Sequence, residues 1–131
     1  MLKEGTYKLN VTDNILFVEA RGPFDEDVVK QFSQEAQSSA HQFNGRRWGS
    51  IVTYYGKGIF TPDAEEALIS LTKHRVEHGM VANASILLET NHGDLQQMQL
   101  QRVYQACNVQ FHTFCDKQSA TDWMQTFLAK K

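Results

Sequence analysis

The residues best suited to chemistry are His74, Glu77 and His78, which form the pattern H-x-x-E-H. In this pattern two histidines one helical turn apart bind a metal ion, and the glutamate acts as a general base. A catalytic zinc site also needs a third protein ligand and an open position. Both imidazoles can instead lie in the last turn of a helix that ends at Gly79, where positive charge suits the helix dipole. We prefer this helix-end interpretation, predict no metal ligand and no cofactor, and keep a metal-dependent enzyme as a third alternative.

Two thiols, Cys107 and Cys115, are the candidate nucleophiles, and His112 lies three residues before the second. Residues close in sequence on a strand and its end need not meet in space, and the chain has no glycine-flanked serine elbow. Isolated cysteines are usually inert packing residues. Two cysteines also cannot form the disulfide framework of a small secreted domain, and they are normal in a reducing compartment. We therefore predict no catalytic residue and a cytoplasmic protein.

The segment GKG at 56–58 resembles a fragment of a phosphate-binding loop. It lacks the spacing G-x-x-x-x-G-K-[ST], in which backbone amides and the lysine surround the phosphates. The next helix opens with Asp63, Glu65 and Glu66, whose charges oppose a bound anion. The segment is therefore predicted to be a strand-to-helix turn in which the Thr61 hydroxyl caps the helix and Pro62 takes its first position.

The elements that must position these residues follow from hydrophobic periodicity. Period-two alternation predicts strands at 7–12 and 15–20, and apolar runs rich in aromatic or β-branched residues predict strands at 48–55, 82–90 and 109–114. Helical stripes predict helices at 25–43, 61–79, 94–107 and 119–128, the first with Asp25 as its N-cap. Helices between successive strands indicate parallel pairing, because a parallel connection needs a long crossover. We predict a single α/β domain over 1–131, with a five-stranded mostly parallel sheet, an antiparallel first strand, four helices and the order ββαβαβαβα.

Composition and charge exclude several classes of function. The 131 residues include 13 Lys plus Arg and 15 Asp plus Glu, so the formal net charge is −2. This balance argues against nucleic-acid binding, which needs clustered basic residues. The aliphatic run at 86–88 is far shorter than the roughly 20 residues of a membrane-spanning helix, and the first residues lack a signal-peptide pattern. We predict a soluble protein without membrane insertion.

The second and third predicted helices are apolar on more than one face. Such a helix is deeply buried, or it meets a second protomer or an apolar ligand. We predict self-association or partner binding, with a well-covered core and a small-molecule cavity as alternatives. The predicted partner-binding residues are Lys57, Gly58, Phe60, Thr61, Ile69, Val76, Leu100 and Tyr104.

The element order and the closing strand and helix, VQFHTF at 109–114 and SATDWM at 119–124, resemble the SpoIIAA-like superfamily, which includes STAS domains and anti-sigma-factor antagonists. The resemblance implies a non-enzymatic regulatory domain that acts through an unidentified protein partner, as a homo-oligomer. Antagonists of this family carry a phosphorylatable serine in an Asp-Ser-Ser/Thr-Gly turn at the start of the second helix. Only Thr61 could supply that hydroxyl here, and the rest of the motif is missing. Related lipid-carrier folds imply the alternative, a carrier or sensor of a small apolar or lipid-like ligand.

Overall fold

A computed structural model describes residues 2–56, 58–88 and 93–130. The elements are β1 (Thr6–Thr12), β2 (Ile15–Arg21), α1 (Glu26–Ala40), β3 (Trp48–Tyr55), α2 (Pro62–Glu77), β4 (Met80–Leu88), α3 (Gly93–Ala106), β5 (Gln110–Phe114) and α4 (Lys117–Ala129), and a 3-10 turn follows α1 at His41–Phe43. The predicted α/β class and element order are confirmed. Among the helices of the described residues, none is long and apolar enough to span a membrane.

The strands lie in the sheet in their sequence order, β1-β2-β3-β4-β5. The first pair is antiparallel and the other three pairs are parallel, as predicted. Each crossover from β2 onward leads to the next strand in the same direction, and such crossovers are almost always right-handed. The three crossover helices therefore lie together on one face of the sheet. The opposite face has its own apolar cluster, which includes Ala120 and Met124 of α4.

Side-chain caps begin three of the helices. The backbone N–H of Val28 donates to the Asp25 carboxylate at 2.9 Å, and the N–H of Ala64 donates to the Thr61 hydroxyl at 3.1 Å, so both predicted N-caps are confirmed. The last helix begins earlier than predicted, because Asp116 accepts from the N–H of Ser119 at 2.7 Å. This bond also lowers the pKa of the Asp116 carboxyl.

The strands divide their side chains between two cores by simple alternation. In β2, Leu16 and Val18 belong to the core beneath the crossover helices, whereas Ile15 belongs to the core beneath α4. In β3, Val52 and Ile51 divide in the same way. The central strands are therefore apolar on both faces, as expected for strands covered on both sides.

The middle position of α2 among the crossover helices explains its second apolar face. This helix contacts α1 on one side and α3 on the other. Ile69 and Val76 are half-buried against the core, and the thiol of Cys107, just beyond α3, lies 3.6 Å from the backbone oxygen of Ile69. Part of the apolar area of Ile69 and Val76 therefore packs within the domain, and their role in partner binding stays a prediction.

The close approach of two turns at Gly79 gives a test of the fold. Gly79 has φ +104°, and a Cβ there would lie 2.5 Å from the backbone oxygen of Arg46. We expect Gly79→Ala to lower the free energy of unfolding in urea by about 2 to 4 kcal/mol, through backbone strain and overpacking together. Gly45 is the matched control, since it has φ +76° and a Cβ there would meet nothing within 4 Å. Gly45→Ala should lose only about 1 to 2 kcal/mol, and equal losses would contradict this packing.

Candidate functional site

An apolar cavity lies between the sheet and the three crossover helices. Its volume of about 40 Å³ is enough for the centres of about three water molecules. The lining residues come from two strands of the sheet centre, from all three helices and from the hairpin edge: Tyr7, Val18, Ala20, Phe24, Val28, Val29, Phe32, Val52, Tyr54, Phe60, Leu68, Arg75 and Tyr104.

The parallel register of β2 and β3 forms the floor of the cavity. It places Val18 beside Val52 and Ala20 beside Tyr54. Alternation points all four side chains toward the same face, where they belong to the core beneath the helices. Ala20 is the smallest of the four, so it leaves open space above the sheet wherever neighbouring side chains do not reach. The floor therefore follows from the strand pattern.

An aromatic cluster closes the cavity where the chain leaves β2 and β3. The rings of Phe24 and Phe60 stack with their centroids 5.0 Å apart, and Phe24 meets Tyr54 edge to face at 5.7 Å. The backbone at Phe60 is held by the Gln99 side chain, which accepts from its N–H at 2.9 Å and donates to its carbonyl oxygen at 2.8 Å. This wall is fixed by stacking and by a pair of hydrogen bonds to α3.

Arg75 is the exceptional lining residue, because its side chain is charged and only 1% of the residue is exposed. Its Nη2 donates to the Thr72 hydroxyl at 3.1 Å, and its guanidinium carbon lies 5.9 Å from the centroid of the Phe32 ring. Its Nε and Nη1 atoms are buried without a hydrogen-bond partner. Arginine stays charged in proteins, so it cannot escape this burial by losing a proton. The last turn of α2 provides the negative end of a helix dipole, which typically offsets up to about 2 kcal/mol of the cost of burying a positive charge. The Nε and Nη1 donors remain without hydrogen-bond partners.

Two buried tyrosines face the same environment as this guanidinium. Burial raises the pKa of Tyr54 well above its usual range and also raises the pKa of Tyr104, while the positive charge of Arg75 opposes both shifts. Among the described residues, the charged group that acts on both hydroxyls is this arginine, and no carboxylate accompanies it. The surface of the cavity is therefore almost wholly apolar, and the phenolic hydroxyls and the positive charge belong to lining residues whose polar atoms lie behind that surface.

The outer wall of the cavity is formed by side chains of β1 and α1. Tyr7, Val28 and Phe32 line the cavity and are half-buried. The Tyr7 hydroxyl donates to Glu35 Oε1 at 3.1 Å, and its ring meets Phe32 edge to face at 5.5 Å. Burial and the neighbouring Glu35 raise the pKa of Tyr7 to about 12, so the hydroxyl remains a donor at neutral pH. This wall, the one nearest to solvent, is closed by one aromatic contact and one hydrogen bond.

Most of the residues predicted to bind a partner are not on an open surface. Phe60, Leu100 and Tyr104 are at most 4% exposed and belong to the core, which corrects their assignment to a docking surface. Gly58 is buried too, because the side chain of Gln96 fills the space where its Cβ would be. Two of these residues, Phe60 and Tyr104, instead line the cavity, which is where the structure brings them together.

Thr61 and Lys57 are the other two positions of the predicted partner-binding set. Thr61 is exposed, and its hydroxyl is engaged as the N-cap of α2. A phosphate on this oxygen would lie next to the acidic first turn with Asp63 and Glu65. Lys57 lies outside the described residues.

The histidine pair forms a helix end. The ring centroids of His74 and His78 are 4.3 Å apart, and the His78 Nδ1 lies 2.9 Å from the backbone oxygen of His74. Glu77 is exposed. Within 2–56, 58–88 and 93–130, no group of three or more His, Cys, Asp or Glu side chains is arranged to hold a metal ion. The geometry therefore favours the helix-end interpretation of the motif.

The two cysteines lie in different surroundings. Cys115 is exposed beyond β5, whereas Cys107 is half-buried against α2, and burial raises the pKa of its thiol. The ring of His112 packs against Trp123 of α4, with centroids 4.9 Å apart. Among the described residues this histidine forms no hydrogen bond with either thiol, and the contacts fit packing better than nucleophilic catalysis.

The sequence motifs did not identify Arg75 as a candidate site residue, although the sequence contains a signal for its burial. It lies seven residues after Leu68, four after Leu71 and three after Thr72, a spacing that places all four on one helical stripe. The structure buries all four residues. A charged residue on an apolar stripe predicts a buried charge, and only the structure shows what surrounds it.

Comparisons of the chain with protein-family models, with curated proteins and with solved structures found no match. The resemblance to the SpoIIAA-like superfamily therefore stays a prediction from the element order.

The buried charge predicts an unusual stability effect. We expect Arg75→Met to raise the free energy of unfolding by about 1 to 4 kcal/mol, because an apolar side chain of similar length replaces an unpaired guanidinium. Arg75→Lys, which keeps a buried charge, should give no gain. Urea denaturation in a chloride buffer free of carboxylates measures both variants. A loss of stability in Arg75→Met would show that the contacts with Thr72 and Phe32 outweigh the cost of burial.

Proposed function

We propose that the protein is a non-catalytic carrier or sensor of a small, largely apolar molecule that binds in the cavity beneath α1, α2 and α3. The observation that carries the proposal is the cavity itself, which has aliphatic and aromatic walls. Its lining residues include Tyr54, Arg75 and Tyr104, which are buried and carry polar groups. Small-molecule sites typically combine an apolar lining with a few polar groups that orient the ligand. The relation of SpoIIAA-like domains to lipid-carrier folds, implied by the resemblance, agrees with this function.

The composition of the lining supports binding without chemistry. Among the described residues, the cavity walls contain no carboxylate, histidine or cysteine. These are the side chains that most often transfer protons or attack substrates in enzymes. Arginine keeps its proton, and the raised pKa values of Tyr54 and Tyr104 keep both phenols protonated. The walls can therefore hold and orient a molecule, and they offer no strong base.

The volume limits the size of the ligand. About 40 Å³ is far less than the roughly 150 Å³ of an engineered cavity that binds benzene. A ligand of a few non-hydrogen atoms fits the closed cavity, and a longer chain requires Tyr7 and Phe32 to move apart at the outer wall. Because a bound ligand stabilises the folded state, saturation at 100 times Kd should add about 2.7 kcal/mol to the free energy of unfolding.

Filling the cavity tests this function. Xenon is a suitable apolar probe, and the methyl resonances of Val18 and Val52 report its binding in the wild-type protein. We expect saturable shifts at these methyls, and we expect Ala20→Leu to abolish them because the added carbons occupy the cavity floor. Ala106→Leu, the same change at an exposed position of α3, should leave them intact. The proposed function is wrong if the wild type shows no saturable shift, or if Ala20→Leu responds like the wild type.

A second candidate function is association with another copy of this chain, as the sequence analysis predicted. Among the described residues three large apolar side chains are exposed, Ile59 at 37%, Leu95 at 53% and Met98 at 55%. Leu95 and Met98 are three residues apart and share one side of α3. Ile59 precedes Phe60, whose backbone is bonded to Gln99 of the same helix. The three form a surface that we call the α3 patch, and exposed apolar patches often mark protein interfaces.

Sedimentation equilibrium tests this candidate. We expect the wild-type protein to form a dimer that dissociates on dilution, and we expect the double variant Leu95→Gln, Met98→Gln to be monomeric, because glutamine keeps helix propensity and removes the apolar area. The exposed neighbours Gln97 and Gln101 provide the control, since changing both to Ala should leave the dimer unaffected. A wild type that stays monomeric at high concentration would rule out self-association through the α3 patch.

A further inference from the structure

We propose that Arg75 binds the anionic group of the cavity's ligand, and that the ligand is a small aliphatic monocarboxylate whose alkyl chain occupies the apolar lining. The inference rests on the proposed function, and it adds the ligand's charge and chemical class. It follows from the one charged side chain in the lining.

The guanidinium lacks a partner of opposite charge among the described residues. Its Nε and Nη1 are buried without hydrogen bonds, and its polar contacts among the described residues are with the neutral hydroxyls of Thr72 and Tyr104. A buried charge is strongly destabilising unless it is paired and hydrogen-bonded. A carboxylate supplies both the opposite charge and the missing acceptors, and arginine is well suited to carboxylates because several N–H groups diverge from one rigid plane.

The groups that neighbour the Arg75 guanidinium favour an anion as the ligand over a cation or a second base. The side chains of Tyr54 and Tyr104 belong to the same lining, and their hydroxyls are donors suited to a carboxylate. Their raised pKa values keep these protons in place at neutral pH. In so apolar a setting, the attraction between opposite charges is stronger than in water.

The charge of Arg75, the apolar walls and the volume of the cavity indicate the chemical class of the anion. One guanidinium can neutralise one charge, so a dicarboxylate or a phosphate dianion would bury an excess negative charge. The remaining walls are aliphatic and aromatic, including Val18, Val52 and Leu68. An alkyl chain satisfies these walls, whereas a bare inorganic anion leaves them empty. The volume of about 40 Å³ admits only a few atoms while the cavity is closed, so a chain as long as that of butyrate requires Tyr7 and Phe32 to move apart at the outer wall.

A comparison of isosteric ligands tests the inference. The wild-type protein is titrated at neutral pH with butyrate and with butyramide, and the methyl resonances of Val18 and Val52 give Kd for each. We expect butyrate to bind about tenfold more tightly, since a charge-assisted hydrogen bond is stronger than a neutral one. In Arg75→Met the preference for butyrate should disappear while butyramide still binds. Arg75→Lys, which keeps the charge, should retain part of the preference.

The outcomes separate the inference from the proposed function. Equal affinities of butyrate and butyramide in the wild type would overturn the inference and leave an apolar binding function standing. Failure of both ligands and of xenon would overturn both. A butyrate preference that persists in Arg75→Met would show that another group binds the anion. The inference is also wrong if sodium chloride displaces butyrate and if, in addition, acetate, propionate and butyrate bind with equal affinity. That result would show that the arginine holds an inorganic anion.

Discussion

The order of the strands is the constraint on which the rest of the structure depends. Because β2 to β5 follow one another across the sheet, right-handed crossovers place α1, α2 and α3 on a single face. In the described part of the chain each parallel strand lies next to the one before it, on the same side, so the strand order never reverses. The sheet therefore lacks the crevice that such a reversal creates, where many α/β proteins bind ligands. Space for a ligand arises instead beneath the layer of three helices, where cylinders packed on a twisted sheet leave a gap above Ala20.

The side chain of Arg75 conflicts with that apolar environment. A leucine or methionine at this position would complete the stripe formed by Leu68 and Leu71 and would suit a stable core. A permanently charged group, buried with unused donors, is the kind of local inconsistency that tends to mark a functional site. The Thr72 hydroxyl and the Phe32 ring hold the guanidinium in one orientation. The protein thus has a pre-oriented cation whose desolvation is already complete before any ligand arrives.

The sequence predicts the architecture far better than the site, and the reasons are physical. Strand alternation and the caps Asp25 and Thr61 are local signals, and both caps are confirmed. The second apolar faces of α2 and α3 were assigned to a partner because periodicity shows that a helix has apolar sides and does not identify what covers them. The structure packs Ile69 partly against the core, and the Cys107 thiol just beyond α3 lies near its backbone oxygen. The cavity depends on long-range neighbours such as Tyr7 and Tyr104, which no local pattern joins.

The cavity and the α3 patch share a short segment of chain, and this relates the two proposed functions. Phe60 lines the cavity, while Ile59, its neighbour, is exposed in the patch. Gln99 ties this segment to α3 through two hydrogen bonds. If a ligand displaces the Phe60 ring, the segment can follow only by breaking or moving those bonds, which alters the patch. Thermodynamic linkage then requires reciprocity: a ligand that changes self-association must bind monomer and dimer with different affinity, by the same factor.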